Sequence, residues 1–230
     1  MFIPFFDPTM ILLIPALILA LWAQSRVKSA FKQYSKIANG SRLTGAQVAR
    51  RILDRYALQD VEVEAVSGML SDHYDPLKRV VRLSESNFSQ PSLAGLAVAA
   101  HECGHAIQHS EGYSALRFRH SLARPVQFGS WAAFPLFFLG LIFSSPGMMD
   151  IGIVLFSLAV LFHMVTLPVE FDASKRAIAI LNTDGYLTPN EVKGAKKVLD
   201  AAAWTYVAAA TMAVLQLLRL LLLRGMIGDD

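Results

Sequence analysis

The sequence predicts a mainly α membrane protein, with about four transmembrane helices carrying a small α/β region. Three observations lead there. Hydrophobic residues fill 54% of the 230 positions and charged residues only 17%, against about 25% charged in an ordinary soluble domain. Mean hydropathy is +0.42. The apolar residues also gather into four segments near the ~20 residues that a bilayer-crossing helix requires. Charged and turn-forming residues separate these segments.

The first span is expected at residues 2–23, where Pro4, Pro8 and Pro15 make it irregular. No basic residue precedes its apolar run and no small-x-small cleavage site follows, so it reads as an uncleaved anchor. The second span is expected at 126–143 and the third at 151–168. The short linker SSPGMMD between them lacks Lys and Arg, making the pair a helical hairpin. The fourth span is expected at 203–223. The domain organisation is therefore an anchor at 1–24, a region at 25–125, the hairpin at 126–168, a helical segment at 169–202 and a last transmembrane helix at 203–230.

Basic residues set the orientation. Arg26, Lys28, Lys32, Lys36, Arg50 and Arg51 fall between the first two spans, and Lys175, Arg176, Lys193, Lys196 and Lys197 follow the third. The positive-inside rule places both stretches in the cytoplasm and both termini outside. Arg224, near the C-terminus, is a mild argument against this.

Region 25–125 shows mixed signals. Thr44-Gly45-Ala46-Gln47 fits a capping box, and Val48, Ile52 and Leu53 form a helical stripe ending near Tyr56. Val61, Val63 and Ala65 alternate with Glu62 and Glu64, as in a half-buried strand. Asp75-Pro76 marks a turn, and Val80 to Leu83 reads as a second strand. Downstream, Thr188-Pro189-Asn190-Glu191 is a capping box with proline at the first helical position. A long helix is expected from there into the last span.

A formal net charge of +3 is too small for a nucleic-acid binder. Cys103 is the sole cysteine, which excludes an intrachain disulfide and a cysteine-cluster zinc site. It is placed on the helix face away from the chemistry described next, as a core residue.

That chemistry lies in AAHECGHAIQH. Ser89 to Ser92 opens a helix and Gly112 closes it. His101 and His105 stand at i and i+4, so their imidazoles share one face and can chelate one zinc ion. Glu102, beside the first of them, is suited to act as general base. A catalytic zinc site needs a third protein ligand and an open position. His109 drifts around the helix relative to His101, and the glycine-broken three-histidine pattern is absent because Ile107 and Gln108 continue the helix. His120 has no supporting pattern. Glu170, just after Pro168 where the third span leaves the membrane, is the better candidate. Asp172 is a candidate partner for a ligand imidazole, and Arg176 and Tyr74 are candidates to stabilise an oxyanion. His163 lies inside the third span and is read as facing a cavity or another helix.

SDHYDPLKRVVRLSE, SLAGLAVAAHECGHAIQHSEGY and EFDASKRA resemble the YugP-type bacterial membrane zinc metallopeptidases, over nearly the whole chain. The layout is also similar to HtpX-type and CaaX-prenyl proteases. The resemblance implies a small zincin-like (gluzincin-type) catalytic domain in region 25–125. It implies a Zn2+ cofactor held by His101, His105 and Glu170, with Glu102 as base. It also implies protein or peptide substrates processed at the bilayer. One departure stands out: the HtpX-type pattern has an aspartate four residues after the ligand glutamate, where this chain has Ser174. If the resemblance holds, Val80, Val81, Arg82 and Leu83 form an edge strand that receives substrate.

The function expected is thus a membrane-embedded, zinc-dependent endopeptidase. Two rivals remain: a site-2-type intramembrane protease using Asp184 from LNTDG as third ligand, and a non-proteolytic, zinc-containing membrane scaffold. The sequence leaves oligomeric state and natural substrate open.

Overall fold

The computed structural model describes residues 7–226. The part of the expected first span before Asp7, and the last four residues, lie outside the described residues. The elements run from a 3-10 turn (Pro8–Leu13) into α1 (Ile14–Tyr34) and α2 (Gly45–Arg55). Three strands follow, β1 (Glu62–Val66), β2 (His73–Asp75) and β3 (Val80–Ser84). The rest is helical: α3 (Glu85–Ser89), α4 (Leu93–Ser110), α5 (Ser114–Ile142), α6 (Pro146–Thr183) and α7 (Pro189–Gly225). Among the described residues, four helices are long and apolar enough to cross a membrane: Pro8–Tyr34, Ser114–Ile142, Pro146–Thr183 and Pro189–Gly225. The fold is therefore mainly α with a small α/β part, as the sequence predicts.

The helices outrun the expected spans because apolar content marks only their middle parts. α5 starts at Ser114, twelve positions before the expected start of the second span, and passes through Pro125 and Pro135. α6 passes through Pro168, so the third span and the segment carrying Glu170 are one helix.

Contacts divide the chain into two compact units. One comprises Met1–Ala23, Ala115–Pro168 and Thr205–Asp230. Its core is Ala133, Phe137, Met149, Ile153, Phe156, Leu220 and Leu223, while Phe128, Trp131 and Val154 stay exposed. Exposed large apolar side chains on apolar helices suit a lipid environment. Arg219 is buried in this unit and pairs with Asp7, which also caps the 3-10 turn by accepting from the Thr9 amide at 2.9 Å. Arg224 pairs with Asp150 at 2.8 Å.

The other unit comprises Gln24–Ser114 and Val169–Trp204. The Thr44 capping box forms as the sequence predicts: Thr44 Oγ1 accepts from the Gln47 amide at 3.3 Å, and Gln47 Oε1 accepts from the Thr44 amide at 3.0 Å. At the start of α7, Glu191 accepts from the Thr188 amide at 2.8 Å and from the Gly40 amide at 2.6 Å, tying α7 to the chain after α1. The core is built on Val48, Ile52, Leu53, Leu83, Leu96 and Ile107.

The sheet order is β1-β3-β2. β3 lies parallel to β1, with Val63 opposite Val81, and antiparallel to β2, with Tyr74 opposite Val81. This corrects the edge-strand expectation for Val80, Val81, Arg82 and Leu83. These residues form the central strand, and Val80, Val81 and Leu83 are buried. With both neighbours paired, β3 has no open backbone row to offer a peptide. The outer positions belong to β1 and β2.

Candidate metal centre

α4 is built to be immersed. Ser92 caps it by accepting from the Gly95 amide at 3.0 Å. Fourteen of its eighteen residues are buried, and small residues (Ala94, Ala97, Ala99, Ala100, Ala106) let neighbours approach. Gly112, at φ +65°, takes the left-handed conformation after the helix ends. Cys103 lies in the core with its Sγ 3.6 Å from the Ala49 carbonyl oxygen, and burial pushes its thiol well above the usual range. It is a packing residue.

The neighbour that matters most is α6. A Cβ on Gly104 would lie 2.9 Å from the Ala173 carbonyl oxygen. Only glycine permits helices to pass this closely, and the approach brings Glu170 to the two histidines. Glu170 Oε2 lies 3.3 Å from His101 Nε2 and 3.5 Å from His105 Nε2. One donor atom from each of the three falls within 4.8 Å of the others, the one such cluster among the described residues.

The donor set fits zinc. Two imidazole nitrogens and one carboxylate oxygen are its usual mixed ligands, at roughly 2.0–2.2 Å. A tetrahedron with such bonds has edges of about 3.3–3.6 Å, and the two nitrogen-to-oxygen separations fall in that interval.

The other ring nitrogens are held too. His101 Nδ1 lies 3.1 Å from Ser174 Oγ, and His105 Nδ1 lies 3.0 Å from Gln108 Oε1. Gln108 is fully buried. Its Nε2 donates to the Val169 carbonyl and to Asp172 Oδ2, both at 2.9 Å. With both amide hydrogens facing oxygen acceptors, Oε1 must be the atom facing His105, so Nδ1 donates and Nε2 is left able to coordinate a metal. Asp172 in turn accepts from Arg176 Nε at 2.6 Å, and Arg176 Nη1 donates to Glu111 at 2.7 Å.

Glu102 sits on the same helix, 8% exposed. Burial pushes its carboxyl above the usual range, partly offset by the nearby imidazoles of His101 and His105. For His105 burial acts downward, but the Glu170 carboxylate more than offsets it and raises the ring overall.

The remaining sequence candidates are placed as follows. Asp172 reaches His105 through Gln108 rather than directly. The Arg176 guanidinium is engaged by Asp172 and Glu111. The Tyr74 hydroxyl meets His109 Nδ1 at 2.9 Å, so both are occupied with each other. Asp184 pairs with Arg55 at 3.0 Å, outside the cluster. His120 is exposed, and His163 is half-buried on α6. Sequence reading missed Gln108 and Ser174. Their one local signal is spacing, three residues after His105 and four after Glu170, which places them on the same helix faces as those two residues. The DHYDP segment proves to be structural. Asp72 accepts from the Ser84 amide at 2.7 Å and from Asn87 Nδ2 at 3.1 Å, and Asp75 pairs with Arg82 at 3.1 Å.

The family model described as "Putative neutral zinc metallopeptidase" matches residues 9–225. The chain belongs to that family. It is also 50% identical over 212 residues to a Bacillus subtilis protein named "Putative membrane protease YugP", across 92% of this chain and 94% of that relative. No solved structure matches it. The resemblance carried by the HECGH, DHYDP and EFDASKRA segments is thereby shown, and with it zinc as the family's metal. The His101, His105 and Glu170 cluster is able to bind such an ion.

Proposed function

We propose that the chain is a membrane-embedded, zinc-dependent endopeptidase, with His101, His105 and Glu170 as zinc ligands and Glu102 as general base. The observation that carries this is the convergence of Glu170 Oε2 on both histidine Nε2 atoms, with Glu102 one residue along α4. Three protein ligands leave a fourth position open, as catalysis requires.

When bound, zinc supplies Lewis acidity, polarising a carbonyl and lowering the pKa of a water to about 7. The chain's own residues do the rest. Glu102 takes a proton from the attacking water at a carboxylate oxygen and passes it to the leaving amide nitrogen. Among the described residues no hydrogen bond engages its carboxylate, so its lone pairs are available. The raised affinity of Glu102 for a proton suits a group that must accept one and then release it. Gln108 and Ser174 keep both imidazoles turned with Nε2 forward. Glu102, being buried, works where bulk water competes little.

The basic stretches in 24–114 and 169–204 support a cytoplasmic-facing site, and the pairing of Arg224 with Asp150 weakens the one counter-signal. A topology reporter fused after the last helix is expected on the outer side. The ion pair of Asp184 with Arg55 leaves the site-2-type alternative without structural support. Substrates proposed are membrane proteins or unfolded segments near the bilayer.

The deciding experiment measures zinc content and casein or self-cleavage for the wild type beside Glu102→Gln. Zinc retained in both, with cleavage lost only in the variant by about 10²-fold or more, is expected. Equal activity of the two proteins would overturn the role of Glu102 and the peptidase reading with it.

A further inference from the structure

Away from the candidate metal centre, α1 and α7 line a partly open cavity of about 360 Å³. Arg26, Ser29 and Gln33 of α1 line it together with Lys197, Asp200 and Trp204 of α7. A volume in this range is typical of small-ligand sites.

The chemistry of the lining is that of a phosphodiester site. Two cations and one carboxylate leave a net charge of +1, the complement of a single phosphodiester. Asp200 is moreover held by Lys196 at 2.6 Å, so its charge is offset from outside the lining. Ser29 and Gln33 add hydrogen-bonding groups for ester or glycerol oxygens. The guanidinium of Arg26 and the ammonium of Lys197 are the donors suited to phosphate oxygens.

Position along the helices indicates where the phosphodiester comes from. α1 is apolar through Ala23 and carries Arg26, Lys28 and Lys32 beyond it. α7 carries Lys193, Lys196, Lys197 and Asp200, then turns apolar from Ala201. Both helices therefore pass from polar to apolar at the level of the cavity, which is where lipid headgroups lie. Trp204, with 44% of its surface exposed, has the amphipathic ring enriched at that level. Basic pockets between such helices are a recurring form of headgroup site.

We propose that this cavity binds the headgroup of an anionic glycerophospholipid, with the phosphodiester on Arg26 and Lys197 and Trp204 at the glycerol and upper acyl level. The proposal stands apart from the peptidase reading and does not depend on it.

The test uses the full-length chain in neutral detergent. Binding is read by native mass spectrometry and by thermal midpoint during titration with phosphatidylglycerol, phosphatidylcholine or inorganic phosphate. The expected result is saturable binding of one phosphatidylglycerol that raises the midpoint, with at least tenfold weaker binding of phosphatidylcholine and no protection by millimolar phosphate. Arg26→Gln with Lys197→Gln should weaken phosphatidylglycerol binding tenfold or more. Lys28→Gln with Lys193→Gln, which removes the same charge outside the lining, should leave it within twofold. Arg26→Lys should recover part of the affinity and guards against a folding defect, as does the lipid-free midpoint of each variant. Equal weakening by both double variants would reduce the effect to general surface charge and overturn the site. Equal protection by inorganic phosphate would make it a free-anion site, and equal binding of phosphatidylcholine would remove the requirement for an anionic lipid.

Discussion

Gln108→Leu removes an amide that holds His105 while keeping the side chain's approximate volume. Gln108 is fully buried and makes three contacts: it accepts from His105 Nδ1 at 3.0 Å and donates to Val169 O and Asp172 Oδ2, each at 2.9 Å. Leucine leaves the Nδ1–H without an acceptor and the imidazole free to rotate or change tautomer. Losing such an orienting partner weakens metal binding about 10- to 100-fold, or roughly 1.4–2.7 kcal/mol. The metal-free protein should lose about 1–3 kcal/mol, because one buried donor goes unsatisfied. The Val169 carbonyl, on α6, retains its place in the helix ladder and adds little to this. The assay is zinc affinity by chelator competition on the detergent-solubilised protein, with the thermal midpoint of the metal-free form measured alongside. Gln108→Glu keeps an acceptor for His105 but loses both donors, and places a carboxylate beside Asp172. It should retain zinc much better than Gln108→Leu while still being less stable. Zinc affinity of Gln108→Leu within twofold of wild type would refute the idea that this amide orients His105.

Three further outcomes are expected. Glu170→Gln should bind substoichiometric zinc at chelator concentrations where the wild type is full, whereas Asp184→Asn keeps its zinc and loses only stability; the reverse pattern would restore Asp184 as a ligand. Gly104→Ala forces a methyl to 2.9 Å from the Ala173 carbonyl, so α4 and α6 must part by a few tenths of an ångström. Overpacking of this kind destabilises by about 1–3 kcal/mol and should also weaken zinc binding; an unchanged midpoint and zinc affinity would show that the close approach is not needed. His109 has its ring pushed below the usual histidine range by burial and then by the Arg79 charge, with Tyr74 hydrogen-bonded to it. A depressed folded value means stability that is present above the unfolded pKa near 6.5 and lost as pH falls below it. The thermal midpoint should therefore drop on acidification below about pH 6.5, and His109→Gln should flatten that part of the profile.

What could be read from the sequence follows from the range of the interactions involved. The capping contacts at Thr44 and Thr188 involve residues three apart: the Thr44 box formed in both directions, and at Thr188 the Glu191 carboxylate accepts from the Thr188 amide and hydroxyl. The i, i+4 pair of His101 and His105 is set by helix geometry alone, and four long apolar runs define four helices. β2 was missed because three residues, His73 to Asp75, carry too little alternation to register beside the Asp75-Pro76 turn. The edge reading of Val80 to Leu83 came from the resemblance, and without β2 nothing in the sequence opposed it by giving β3 its second partner. The buried Arg219 with Asp7 was invisible for a different reason, since 212 positions separate the two residues.

The same reasoning explains why Ser174 looked like a departure from the HtpX-type pattern rather than a contact of His101. A motif comparison asks for a carboxylate at that position, but the helix asks only that something hydrogen-bond to His101 Nδ1 from one turn beyond Glu170. Ser174 Oγ does so at 3.1 Å, and the nearby carboxylate of Asp172 reaches the other histidine only through Gln108. On their Nδ1 side both imidazoles therefore touch neutral partners, and within the three-residue cluster the carboxylate is that of Glu170. Neutral partners raise ligand basicity less than carboxylates do, so these donors would surrender less charge to a bound cation and would leave it the stronger Lewis acid. A serine at this position is consistent with hydrolytic chemistry, because polarising a carbonyl would require a bound cation to keep its charge.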